Sequence, residues 1–173
     1  MYEVIQVEWE PNYQDEIKEI YRMFKDQERR IFDLTNYEDG TSVMDLIERT
    51  VKEDTVFLVK ENNTPCATFV LTSPRMFGNV IARVNIHTAI RKPYWGKKAR
   101  EICRFFLDYL LSNYPIHKIM AEVPQCGYGV IKLLKDLNFK HEGTLKESCV
   151  YKDKNGKPKY YDELIYSLTR RDI

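Results

Sequence analysis

The chain has 173 residues, enough for one domain that buries roughly 70% of its unfolded surface. Its 27 basic and 26 acidic side chains nearly cancel to +1, so no global charge draws it to nucleic acid or to an anionic membrane. Hydrophobic content of 43% and charged content of 31% are ordinary for a globular protein, and no apolar run is long enough to cross a membrane.

The start, MYEVIQVEWEPN, lacks the shape of a signal peptide. Within it Tyr2 to Val7 alternates as a short strand, and Trp9 to Asn12 punctuates it. Tyr13 to Arg30 follows with Ile17, Ile20, Tyr21 and Phe24 at helical spacing. Asp33 to Gly40 is polar and turn-rich. A second helix is expected from Thr41 or Ser42, with Asp45 acidic in its first turn and Val43, Leu46, Ile47 and Val51 facing inward. Thr55 to Lys60 and Cys66 to Thr72 read as strands joined by a turn at Glu61 to Pro65. Ser73 to Asn79 reads as a further connection.

The stretch from Val84 to Leu111 organises the rest. Val84, Ile86, Thr88 and Ile90 alternate with Asn85, His87 and Ala89, the period of a strand. Pro93 and Gly96 break it, and Ala99, Ile102, Cys103, Phe106 and Leu110 then mark one face of a helix. A strand feeding a helix through a tight turn leaves backbone N–H groups aimed at one point, a geometry that binds anions. Lys97, Lys98 and Arg100 add positive charge there. Phe105, Phe106 and Tyr109 fall at core spacing.

Ile116 to Val123 reads as a buried strand ended by Pro124, and Gln125 to Gly129 as a loop. Val130 to Leu137 is a short helix with Ile131, Leu134 and Leu137 inward, and Asn138 fits the left-handed position past its end. Lys140 to Lys152 and Lys159 to Leu168 are strands joined at Asp153 to Pro158. The order is β-α-α-β-β-β-α-β-α-β-β, so the expected fold is α/β (α+β), one domain over residues 1–173. Its sheet is mixed, mainly antiparallel, and flanked by helices on both faces. Cys66, Cys103, Cys126 and Cys149 lie far apart, without metal-ligand spacing. Free thiols, no metal and a cytoplasmic location are expected.

This order, with three local motifs, resembles the GCN5-related N-acetyltransferase (GNAT) superfamily. The motifs are the strand–turn–helix around PYWGKKAREI, the strand–loop–helix AEVPQCGYGVIKLLKDLNF, and the hairpin KHEGTLKESCVYKDKNGKPKYYDELIYSL. The last is similar to the tail of the branch that acetylates ribosomal-protein N-termini. Phe139, Glu142, Gly143, Asp162 and the run Leu164 to Tyr166 fall where that branch has such residues. Aligned on the family's Gln/Arg-x-x-Gly-x-Gly/Ala loop, Trp95 stands at the first position, Lys98 at the central glycine and Arg100 at the last; Gly96 is a frequent extra glycine. Gly127 and Val130 stand where the branch has Asn and Ser, and Leu134 where many members have the tyrosine that protonates the leaving thiolate.

The resemblance implies acetyl transfer from acetyl-CoA to a primary amine, at a peptide or protein N-terminus or on a small molecule. Ala89, Ile90, Arg91, Trp95, Gly96, Lys97, Lys98, Ala99 and Arg100 are the expected coenzyme residues, with backbone N–H groups of Ala89 to Arg91 serving the oxyanion. His87 is the candidate base and Glu122 the second candidate, each with the plainer role of a polar residue satisfied by a neighbour. Tyr128 is a substitute acid if its loop turns it inward. A homodimer or a protein partner is compatible with this reading. The Trp-Gly-Lys turn also resembles phage-encoded members without an assigned reaction, which leaves open a catalytically lapsed binding or structural protein, for example one associated with a virion.

Overall fold

In the computed structural model, which describes residues 1–31, 43–152, 155 and 157–172, the elements follow the expected order. They are β1 (Tyr2–Val7), α1 (Gln14–Ile31), α2 (Val43–Glu53), β2 (Thr55–Glu61), β3 (Thr64–Phe77), β4 (Val80–Ile90), α3 (Lys97–Asn113), β5 (Lys118–Pro124), α4 (Tyr128–Asp136), β6 (Lys140–Lys152) and β7 (Pro158–Thr169). The expected turn at Asp33 to Gly40, the helix start at Thr41 or Ser42, the side chains of Val43 and Leu46, and Asp153, Lys154 and Gly156 of the last hairpin tip lie outside the described residues.

The strands form one sheet in the order β1-β2-β3-β4-β5-β7-β6. Among the described residues only β4 and β5 run parallel, because α3 carries the chain from the end of one to the start of the other. The apolar stripe of α1 and α2 (Ile17, Ile20, Met23, Ile47, Val51) packs one face of the sheet, against Val56, Leu58, Val70 and Ala89. The stripes of α3 and α4 (Ile102, Phe106, Leu110, Leu134) pack the other, against Phe57, Phe69, Val84 and Ile119. At the centre of that second layer the solvent-free ring of Phe106 stacks on Phe69 at 3.9 Å between centroids and meets Phe57 edge-on at 5.3 Å. Arg170 ties the C-terminus back, donating from Nε to the Ile116 carbonyl and from Nη2 to those of Leu111 and Tyr114, at the end of α3. Among the described residues no helix is long and apolar enough to cross a membrane.

Two elements differ from the sequence reading. Ser73 to Asn79 is not a connection: β3 runs on to Phe77, turns through Gly78 at φ +58, and returns as β4 from Val80. A bulge between Thr72 and Arg75 hides the period, because Ser73 takes φ +51 and is followed by Pro74. The arm also lies beyond the helices, so Met76, Phe77 and Val80 are exposed and no burial pattern marks it. Helix α4 begins at Tyr128, earlier than the expected Val130. Its end is as read: Asn138 takes φ +67 and Phe139 N–H donates back to the Leu134 carbonyl, leaving Phe139 buried.

Candidate functional site

The parallel strands β4 and β5 pair only at Val84–Ile119 and Asn85–Met120, with one further bridge at Ile81–Ile116. Beyond that, Ile86–Ile90 stays with β3 and Ala121–Pro124 stays with β7, and no pairing joins β4 to β5. The sheet therefore opens into a gap between two strand ends. Backbone groups there lack a strand partner, which is costly unless something else meets them.

Which groups face the gap follows from ladder alternation. The Arg91 N–H donates to the Cys66 carbonyl at 3.0 Å, so in the β3–β4 register Arg91, Ala89, His87 and Asn85 turn their backbone groups toward β3. Ile86, Thr88 and Ile90 turn theirs toward β5. This corrects the expectation for Ala89 to Arg91: Ile90 presents its N–H to the gap, whereas those of Ala89 and Arg91 are spent on the ladder. The Arg91 guanidinium donates to the Pro65 carbonyl, away from the gap.

The turn after β4 is closed by Trp95, whose indole Nε1 donates to the Ile90 carbonyl at 2.8 Å. The indole thus meets a strand-end carbonyl that the β3–β4 ladder does not use. Gly96 precedes α3 at φ +76, ψ −127, a conformation open to glycine, and a Cβ built there would meet nothing within 4 Å. Behind it the first-turn N–H groups of Lys97, Lys98 and Ala99 point out of the helix end, with no acidic residue in that turn. The three cations do not converge. Lys98 pairs with Glu61 at 2.7 Å and lies over the Tyr94 ring, Arg100 reaches Asp136 at 3.6 Å, and Lys97 stands 3.8 Å from Glu101. Hydrogen bonding to Lys98 holds the Glu61 carboxyl below the usual carboxylate range. The side chains at the family's glycine positions therefore leave the helix start open to an anion.

On the α1/α2 face the strands carry a polar row. His87 lies on this face, opposite Ile86 and Thr88, as its parity predicts. Its Nε2 is 3.2 Å from Thr72 Oγ1. Across the throat of the gap Asn85 Nδ2 donates to Glu122 Oε1 at 3.3 Å, so β4 and β5 bring both candidate side chains to one face. His87 is exposed as a residue while its ring is crowded by protein, and it is the crowding that pushes the imidazole pKa below its ordinary value. The charges of Glu122 and Asp54 oppose that shift. Burial in turn raises the Asp54 carboxyl, and His87 pulls it back. Thr72, Asn85 and Asp54 are neighbours that the sequence reading missed; alternation with His87 on β4 was the available signal for Asn85, whereas Thr72 on β3 and Asp54 before β2 come near only in the fold. Tyr128 is not turned inward: as the first residue of α4 it is 78% exposed, and the buried Leu134 supplies no proton.

No family model and no curated protein matches the sequence. Solved structures match over nearly the whole chain. The spermidine N-acetyltransferase of Vibrio cholerae, solved with CoA and spermine, superposes with a TM-score of 0.75 at 16% identity, covering 99% of this chain and 96% of that one. The ribosomal-protein-alanine N-acetyltransferase of Brucella melitensis gives 0.68 at 13% identity, covering 96% and 99%. An N-acetyltransferase of Staphylococcus aureus Mu50 gives 0.67 at 15% identity, covering 98% of each. The chain has the GNAT acetyltransferase fold.

Proposed function

We propose that residues 1–173 form, as one domain, an N-acyltransferase that moves an acetyl group from acetyl-CoA to a primary amine by direct attack. The observation that carries this reading is the parting of β4 from β5 beside the glycine-led start of α3. In this assignment the pyrophosphate of the co-substrate meets the N–H groups of Lys97 to Ala99, where the helix dipole favours an anion. Gly96 lets the backbone come close, and Trp95 holds the turn against β4. The thioester lies along the gap, with its carbonyl oxygen against the Thr88 N–H, which alternation turns toward β5 beyond the last β4–β5 pair.

The amine approaches from the α1/α2 face. His87, neutral at physiological pH because of its lowered pKa, takes the proton that the attacking nitrogen sheds. Glu122, already positioned by Asn85, faces the same nitrogen and favours its approach. The C–N bond forms as the C–S bond breaks. The sulfur leaves as a thiolate and takes its proton from solvent, since Tyr128 and Leu134 do not serve. We infer a cytoplasmic protein, a reading supported by four free cysteines.

Calorimetric titration with acetyl-CoA and with coenzyme A, followed by release of free thiol in the presence of amines, tests the proposal. Binding and amine-dependent thiol release are expected. Absence of heat at millimolar ligand overturns the enzyme reading and leaves that of a lapsed binding protein.

A further inference from the structure

We propose that Arg75 and Arg83 form a carboxylate clamp on the acceptor side of the gap, and that the acceptor is the N-terminus of an acidic peptide. The two arginines stand directly opposite each other on β3 and β4, so they share the face that carries Asn85, His87 and Glu122. Like charges placed opposite in a ladder repel. Among the described residues neither arginine meets a carboxylate, and Arg83 Nε is buried without a hydrogen-bond partner. A guanidinium with a buried, unanswered donor next to a second guanidinium is a fork suited to a carboxylate. Glu122, which shares that face across the throat, is engaged by Asn85.

A second orphan atom supplies the rest of the substrate. Asn85 Oδ1, between Arg83 and His87 on β4, is buried and accepts no hydrogen bond. In order along the strand, the row offers donors for an anion, an acceptor for an N–H, and then the His87–Glu122 pair where the amine reacts. A peptide with a free amine, a backbone N–H and an acidic side chain answers all three; a polyamine has no anion for the arginines. Four strand positions separate Arg83 from His87, about 13 Å, a span that an extended peptide covers in about three or four residues. The anion is not a phosphate of the co-substrate, because the start of α3 lies past Ile90, at the other end of β4 from Arg83. The role as acceptor site rests on the acyl-transfer reading; the clamp itself does not.

The test uses the full chain and the peptide Ala-Ala-Glu-Ala-amide beside Ala-Ala-Gln-Ala-amide, with Ala-Ala-Ala as free acid and as amide to separate a side-chain carboxylate from a terminal one. Calorimetry on the wild type is expected to show the Glu peptide bound about 10- to 100-fold more tightly than the Gln peptide, the range for a charge-assisted hydrogen bond. Arg83→Gln and the exposed Arg75→Gln are each expected to bring that ratio toward one. A purely structural role would weaken both peptides and leave the ratio standing. Equal affinities in the wild type, no binding of either peptide, or a ratio that survives both substitutions overturns the clamp. Selective binding without thiol release overturns acetyl transfer and leaves the clamp; thiol release without selectivity does the reverse.

Discussion

Replacing Gly96 by Ala isolates the backbone conformation on which the proposed anion-binding turn depends. Gly96 and Gly129 both have open space where a Cβ would be added, so neither substitution produces a clash. They differ in backbone alone. Gly96 sits at φ +76, ψ −127, the mirror image of extended backbone, which an L-residue enters at a cost of about 1–3 kcal/mol. Gly129 lies in helix α4 without a positive φ, where Ala is favoured by about 0.5–1 kcal/mol. For a chain of this size one kcal/mol moves the melting temperature by about 2–4 °C. Gly96→Ala should therefore lower Tm by about 2–12 °C and Gly129→Ala raise it by about 1–4 °C. Urea unfolding of the three proteins, read by circular dichroism, checks the sign with no ligand present. A neutral or stabilising Gly96→Ala would refute the left-handed turn. A destabilising Gly129→Ala would refute the claim that open space and helical φ decide that site. In the same series Gly96→Ala should weaken acetyl-CoA more than Gly129→Ala does, because relieving the strain re-aims the N–H groups at the start of α3.

The other predictions concern the chemistry and the core. In His87→Ala turnover should fall about 100- to 10,000-fold while acetyl-CoA still binds; full activity would remove His87 as the base. Because its folded pKa is depressed below 6.5, the acid limb of kcat/KM should lie below pH 6.5, and a limb above pH 7 would contradict that assignment. The same shift makes the stability from neutral His87 fully present above pH 6.5 and lost as pH falls through the folded value, so His87→Ala should flatten the stability profile on that side. Replacing Lys98 and Arg100 together by Ala should weaken acetyl-CoA by about 2- to 30-fold, from about 0.2–1 kcal/mol per exposed charge, and unchanged affinity by calorimetry would show that the backbone alone holds the anion. Phe106→Ala, which removes the ring stacked on Phe69, should cost about 3–5 kcal/mol in urea unfolding.

The element order, both helix pairs and the described core stripes are legible in the residues alone, because burial imposes periods of 3.6 and 2 that survive in the residue pattern. So are the position past α4, where Asn138 tolerates positive φ, and the face of His87, since parity along a strand is strict. The β3–β4 arm was illegible. Ser73 and Pro74 interrupt the period, and a strand wet on both faces has no pattern to leave. The candidate site depends on long-range contacts. Parallel strands that part after Asn85 and Met120 leave no trace in either strand's own residues, because the gap depends on how α3 returns the chain. The same holds for the charges. Lys97, Lys98 and Arg100 are neighbours in sequence and read as one cluster, yet a helix sends them in three directions, to Glu101, Glu61 and Asp136. Arg75 and Arg83 are separated by a turn in sequence and become neighbours only through the register of a hairpin. Side-chain period is a local property that sequence carries. Which backbone groups stay unpaired, and which charges meet, is settled by contacts between residues far apart in the chain.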